Sequence, residues 1–338
     1  MSSLFRPGTL QQAVERLGFV QADPIRSPAR AQDLILRHRV KDYRVGDLDD
    51  QYQNLSLEED LLYAYGFMPR STWCLLHPRD TPKRNAAEKR VLAFVTAQQR
   101  HVHPRDLEAG FGRNREQNDW GGQSTATTRV LQSLHYSGAL RVAGRQSGIR
   151  VYEPVEHTHE PLDRAERLHK LVMLVATILG PLPESSLRAT LRHLAYAAPG
   201  LDAGRKSIVK KLIESGELAW GDLDGLRYVW PSTKPNARRA NETVRFLAPF
   251  DPLVWDRRRF EHLWGWPYRF EAYTPAAKRQ LGYYAMPMLW RDDVVGWVNV
   301  STDHVRVEPG FRKTVTDPKF RDEYEAEVER MKTFLQRR

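Results

Sequence analysis

An amide and a carboxylate one residue apart, Gln21 and Asp23, stand near the amino end in the run Phe19-Val-Gln-Ala-Asp23, which Pro24 stops. In an extended segment alternate side chains share a face. The two Cα atoms then lie roughly 6.5 Å apart, and both groups address one small target. Val20 and Ala22 point the other way, toward a core. By spacing alone, a capping or surface pair at a strand end before proline is the commoner meaning, so the pair needs further support. Other candidate groups carry less. Cys74 lies in the apolar run Trp73-Cys74-Leu75-Leu76 and reads as a small buried hydrophobe. His101 with His103, and His157 with His159, have the spacing of metal pairs. They have no cysteine partners and a loop setting, so they read as surface histidines and no metal site is expected. The chain shows neither a Gly-rich phosphate loop ending in Lys-Ser/Thr nor a clustered carboxylate metal site, which argues against a helicase or nuclease module and for no cofactor.

The elements around the pair are legible from periodicity and caps. Leu10 to Leu17 reads as a helix ended by Gly18, and a second helix is expected from about Pro28 to Arg39. Further on, the chain repeats itself. Arg129-Val-Leu-Gln-Ser-Leu-His-Tyr-Ser-Gly-Ala-Leu140 followed by Gly148-Ile-Arg-Val-Tyr-Glu-Pro154 aligns with Ile208-Val-Lys-Lys-Leu-Ile-Glu-Ser-Gly-Glu-Leu218 followed by Gly225-Leu-Arg-Tyr-Val-Trp-Pro231, the register slipping by one residue in the loop. Each copy reads as three helices and a two-stranded wing. In the first copy the helices are expected over Ala86 to Gln99, from His103-Pro104 to about Gly110, and over Thr125 to Tyr136, with Arg145 at a basic wing tip. In the second they are expected over Leu168 to Leu179, Pro183 to Tyr196 and Asp202 to Ser215. The last of these carries Arg205, Lys206, Lys210 and Lys211 outside and Ile208, Val209, Leu212 and Ile213 inside, as a helix set against a duplex does. Its wing, Gly221-Asp-Leu-Asp-Gly225, is acidic.

Five short strands, Arg245 to Leu247, Tyr268 to Ala272, Ala285 to Trp290, Val294 to Val300 and His304 to Val307, suggest a small barrel or sheet with Trp290 and Trp297 in its core and a tight turn at Asp292-Asp293. A charged amphipathic helix, Pro318 to Leu335, closes the chain. The 338 residues leave room for several domains. A net charge of +10, from 52 Lys and Arg against 42 Asp and Glu, favours a polyanionic partner. A single cysteine excludes an internal disulfide. No run reaches the roughly 18 apolar residues of a membrane span, and Met1 to Leu10 lacks the apolar core of a secretion signal. The reading is therefore a protein of the reducing cytoplasm, associated with the nucleoid.

Leu17-Gly-Phe-Val-Gln-Ala-Asp-Pro-Ile-Arg26, with Ala29-Arg30 and Asp33-Leu34-Ile35 after it, resembles the signature of the AlkZ/YcaQ crosslink-repair DNA glycosylases. The stretch Phe246 to Arg258 is similar to the family's second landmark, and Val294 to Val298 lies where its barrel is expected. The resemblance spans nearly the whole chain. It implies an α+β fold of tandem winged-helix domains followed by a small C-terminal β-barrel, divided as 1–82 with the Gln-x-Asp motif, 83–160, 161–240 and 241–338. Gln21 and Asp23 place the chain in the Gln-x-Asp branch, which implies excision of N7-alkylguanine and unhooking of interstrand crosslinks in double-stranded DNA by a monomer, leaving abasic sites. Asp23 then stabilises the positive charge that develops on the sugar and orients the attacking water, while Gln21 holds that water or a sugar oxygen. One departure is Leu61-Leu-Tyr-Ala-Tyr-Gly-Phe-Met-Pro69, which lacks the Trp and His that relatives carry before the proline. Arg26, Arg30, Arg129, Arg145, Lys206, Lys210 and Lys211 are the expected DNA contacts. The main alternative is a winged-helix transcription regulator without catalysis, for which the basic helix of the second copy would suffice.

Overall fold

The computed structural model describes residues 5–111, 115–117, 123–156, 162–201, 204–233, 242–301 and 305–336. The fold is mixed α and β, with small antiparallel sheets. The N-terminal helix spans Leu10–Leu17, as expected. The Thr9 side chain accepts from the Gln12 N–H, Gln12 reaches back to the Thr9 N–H, and Gly18 at φ +69° ends the helix in a conformation that disfavours a side chain. The strand Val20–Gln21 follows, then a helix Ala31–Leu36, shorter at both ends than the 28–39 expected. Val20–Gln21, Tyr65–Pro69 and Leu57–Leu61 form one antiparallel sheet in that order, with Gln21 opposite Gly66.

Both copies of the repeat fold into the elements read from the sequence. In the first, helices Ala86–Ala97 and Ala126–Tyr136 flank a short turn of helix at Pro104–Leu107 and Glu108–Phe111, and the hairpin pairs Leu140–Gln146 with Ile149–Pro154. A pairing not anticipated joins Arg115–Gln117 to Gln123–Thr125 just before the third helix. In the second copy the helices are Arg164–Leu179, Glu184–Ala197 and Arg205–Glu214, and the hairpin pairs Leu218–Leu223 with Leu226–Pro231.

In the C-terminal part Arg245–Phe246, Met286–Trp290, Asp293–Val300 and Val307–Phe311 form a four-stranded antiparallel sheet in sequence order. Among the described residues this sheet is open and not closed into a barrel. Tyr268 to Ala272, expected as a strand, is not one. Tyr268 is anchored as core instead, its hydroxyl donating to the Ala285 carbonyl at 2.7 Å and its ring packing on Phe260 and Trp266. The last strand begins at Val307, later than the His304 to Val307 expected, and His304 lies outside the described residues. Trp290 is buried, and Trp297 donates to the Leu281 carbonyl. The closing helix spans Pro318–Leu335 as read, and its buried Glu327 pairs with Arg37.

Two large apolar clusters run through the molecule, and the N-terminal segment contributes to both. Val20, Leu34 and Ile35 join residues of the first copy and the C-terminal sheet, whereas Phe19, Met68 and Trp73 join the helices of the second copy. Alternation along the strand explains the division: Phe19 and Val20, each about 1% exposed, enter opposite clusters. The segment that carries Gln21 and Asp23 is thus the joint on which the other parts are mounted.

Candidate active site in a basic cleft

Backbone pairing sets the position of Gln21 and Asp23. The Ala22 N–H donates to the Tyr65 carbonyl at 2.9 Å, and Gly66 makes the close approach possible, since a Cβ there would stand 2.3 Å from the Val20 oxygen. Ala22 packs against the same cluster as Val20, as alternation requires. The Gln21 side chain turns the other way and accepts, through Oε1, a hydrogen bond from Trp255 Nε1 at 3.0 Å. Regular pairing stops at Gln21. Beyond it the Asp23 carboxylate accepts from the Ile25 N–H at 2.9 Å, and the Asp23 N–H reaches the buried Gln32 Oε1 at 3.3 Å. Burial pushes the half-buried Asp23 carboxyl above the ordinary Asp value, and the Ile25 N–H draws it part of the way back. The hydroxyls of Tyr273 and Tyr284 are raised as well, first by burial and then by the Asp23 charge.

Asp23 lines a cleft of about 620 Å³ between the N-terminal segment and the first copy of the repeat, with Ala22, Arg26 and Tyr65 on one side and Arg105, Thr128 and Gln132 on the other. Gln21 does not line this cleft; its side chain stands against Trp255. Arg26 and Arg105 are exposed in the cleft wall. The other arginines there are committed elsewhere. Arg30 stands just before the Ala31–Leu36 helix and pairs with Asp49 at 2.6 Å and Asp33 at 3.4 Å. Arg145, expected at a wing tip, sits in the hairpin ladder opposite Arg150; the turn is made by Ser147 and Gly148 at positive φ. Arg145 is bound by Glu59 at 2.6 Å and Asp49 at 3.4 Å, and only 12% of its side chain is exposed. Arg30 and Arg145 thus line the cleft while engaged in ion pairs with carboxylates of the N-terminal part.

The partner of Arg145 belongs to a feature the sequence reading did not single out. The strand Leu57–Leu61 places three consecutive buried carboxylates, Glu58, Glu59 and Asp60, under the first copy of the repeat. Glu58 pairs with Arg70 and Arg141, Glu59 with Arg145 and Arg150, and Asp60 with Arg79 and His77. Burial alone would raise Glu59, but Arg150 and Arg145 outweigh it and hold the carboxyl below its ordinary value. Asp60 is lowered further, against its burial, by the His77 hydrogen bond and the Arg79 charge. His77 itself is lowered to about 4, chiefly by burial.

A model of the family "DNA glycosylase AlkZ-like" matches residues 14–334. The chain belongs to this family. Among solved structures, Streptomyces sahachiroi DNA glycosylase AlkZ superposes with a TM-score of 0.60 at 14% identity, covering 99% of this chain and 94% of that one, which is a likeness of fold. The second AlkZ-like landmark gains a structural meaning here. Asp251 in the stretch Phe246 to Arg258 is clasped by Arg39 at 2.8 and 3.1 Å, both side chains buried, and caps the short Pro252–Trp255 helix by accepting from the Leu253 N–H. The clasp brings Trp255 onto Gln21, so the two landmarks meet in space. In the departing segment Leu61 to Pro69, Tyr65 supplies cleft wall and Gly66 the close approach.

The remaining candidates divide by exposure. Arg129 is exposed on the Ala126–Tyr136 helix, next to the cleft residue Thr128, and Lys206, Lys210 and Lys211 are exposed on Arg205–Glu214, where Lys210 also stands 3.6 Å from Glu214. Asp202, at the expected start of that helix, lies outside the described residues. Cys74 is partly buried in the Arg70–Leu76 helix, and burial pushes its thiol up, away from nucleophilic behaviour. His101 pairs with Glu153, and His103 accepts from the Arg105 N–H as a helix cap; His157 and His159 lie outside the described residues. Among the described residues no group of three or more His, Cys, Asp or Glu side chains could hold a metal ion, and no helix is long and apolar enough to cross a membrane. Trp255 was missed as a site residue; its place in the second landmark was the available signal.

Proposed function

We propose that this DNA glycosylase excises N7-alkylated guanine from double-stranded DNA and unhooks interstrand crosslinks through such bases, with Asp23 and Gln21 as its catalytic pair. The observation that carries this reading is a half-buried carboxylate of raised pKa in the wall of an open basic cleft, beside an amide held at the same strand end. Cleavage of the C1′–N9 bond leaves positive charge on the sugar, which the Asp23 carboxylate stabilises. A water then bonds to C1′ and gives its proton to Asp23. The alkylated guanine, cationic beforehand, takes the bonding electrons and leaves neutral, so no general acid is needed and an abasic site remains. A cleft shared by two parts of the chain, within the roughly 300–1,000 Å³ of ligand sites, accommodates a base still tethered to the opposite strand better than an enclosed pocket would.

In this reading the chain acts as a monomer of tandem winged-helix units, 1–82, 83–160 and 161–240, with 241–338 as the closing unit built on the open sheet. Arg26, Arg129, Lys206, Lys210 and Lys211 contact DNA, and the enzyme works at the nucleoid without a lyase step. The test uses duplexes carrying one 7-methylguanine or one nitrogen-mustard crosslink. The parent chain should generate abasic sites and separate the strands, while Asp23→Asn should bind the duplex and leave it intact and Gln21→Ala should bind it and excise only at a slow residual rate. Parental excision by both variants would leave a DNA-binding protein whose catalytic groups lie elsewhere.

A further inference from the structure

An indole N–H only donates, so the end of the Gln21 amide that meets Trp255 Nε1 at 3.0 Å has to be the oxygen. Amide ends are ambiguous where either partner could donate, but a donor-only neighbour removes that freedom. The reversed amide would set two donors against each other. Trp255 is in turn held by its ring and by its backbone. Its ring packs edge-on against Tyr63 at 4.7 Å, which in turn packs on Phe19 at 4.8 Å, and the Trp255 backbone N–H donates to the Asp251 carbonyl at 2.8 Å. Asp251 is locked by Arg39.

We infer that Trp255 is a positioning residue for the excision reaction, occupying the Gln21 oxygen so that the Nε2 amino group is the end presented to substrate. The inference rests on the proposed role of Gln21 and sharpens it. Gln21 then serves as a donor, to the oxygen of a water, a deoxyribose or a phosphodiester. A water that accepts from Gln21 keeps both protons available to Asp23 and a second lone pair for C1′, whereas a freely turning amide would also accept a hydrogen bond from the water and turn one O–H away from Asp23.

The test is a double-mutant cycle in the full chain, read as single-turnover excision of 7-methylguanine from a duplex. Trp255→Phe keeps a ring and removes the N–H. It should slow excision by about three- to tenfold, the scale of one lost hydrogen bond, with DNA affinity little changed. In a Gln21→Ala background the same substitution should change the rate by less than about twofold, since neighbours acting through one contact are not additive. Equal slowing in both backgrounds would make Trp255 merely structural, and no slowing in the first would remove the inference. A parental rate in Gln21→Ala alone would overturn the catalytic pair itself, a result distinct from failure of the coupling. Should Trp255→Phe not fold, the indole N–H of Trp255 in Gln21→Ala gives a second reading. Its hydrogen exchange should quicken, and unchanged exchange would contradict the bond.

Discussion

The two copies of the internal repeat share helices, a glycine-ended third helix and a hairpin, yet they put their charges to opposite uses. In the first copy Arg141, Arg145 and Arg150 of the hairpin turn inward onto Glu58 and Glu59, and the hairpin becomes one wall of the cleft. In the second the corresponding hairpin stays at the surface. Arg227 is half exposed, lies over the Trp220 ring at 4.5 Å and approaches Glu184 only at 3.9 Å, while Asp222 and Asp224 face solvent. Lys206, Lys210 and Lys211 on the third helix of the second copy stay exposed, while Arg205 at its start is half-buried. The difference comes from what each copy rests on. An acidic strand lies under the first, whereas apolar residues of the N-terminal part, among them Phe19, Met68 and Trp73, pack against the helices of the second. A shared local pattern therefore specifies the fold of a unit, and the neighbouring charge decides whether its basic residues are drawn into buried ion pairs or stay exposed.

The largest expected effect that separates the copies is on stability. Glu59→Gln leaves Arg145 and Arg150 beside a neutral group in a buried setting and should cost about 3 kcal/mol in denaturant unfolding. Because the folded Glu59 carboxyl is lowered, its contribution is present above the unfolded carboxyl value and is lost as pH falls through the folded one. The parent and Glu59→Gln unfolding curves should accordingly converge in acid. Asp222→Asn with Asp224→Asn, at the tip of the other hairpin, should change stability by less than about 0.5 kcal/mol. A comparable loss from both hairpins would erase the contrast.

Binding should show the reverse order. Replacing Lys206, Lys210 and Lys211 together by Ala should weaken duplex binding and reduce the slope of log K against log salt by about two to three, with the melting temperature unchanged. Arg145→Ala should lower the melting temperature and leave that slope nearly intact. A salt slope that moved with Arg145 and not with the lysines would invert the assignment.

The smallest effect concerns Asp23. A carboxyl whose folded pKa is raised favours folding below its unfolded value and loses that contribution as pH rises through the folded value. Asp23→Asn should therefore melt no lower than the parent near neutrality and slightly higher, with the gap closing in acid. A lower melting temperature at neutral pH would make Asp23 a structural support.

Much of this organisation was legible in the residues. The helices Leu10–Leu17 and Pro318–Leu335 were bounded to the residue because capping groups and periodicity agree there. The third helix of each copy was located by its glycine. Glu58, Glu59 and Asp60 were not singled out, since three successive carboxylates read as solvent-facing until arginines distant in the chain neutralise them. Tyr268 to Ala272 has a strand's residue types, but packing of Tyr268 on Phe260 and Trp266 decided its conformation. For the site, the Gln-x-Asp pair was visible as a motif. Its partner Trp255 was not, because the bond spans more than two hundred residues of chain.

The most direct measurement of the central claim is the pH dependence of single-turnover 7-methylguanine excision, corrected for spontaneous loss, by the parent and by Asp23→Asn at saturating enzyme. The parent should lose activity in acid with a midpoint above the roughly 3.9 of an unperturbed Asp, and Asp23→Asn should stay near the uncatalysed level throughout while binding the duplex normally. A folded Asp23→Asn protein that excises at the parental rate, with the same acid limb, would contradict the account.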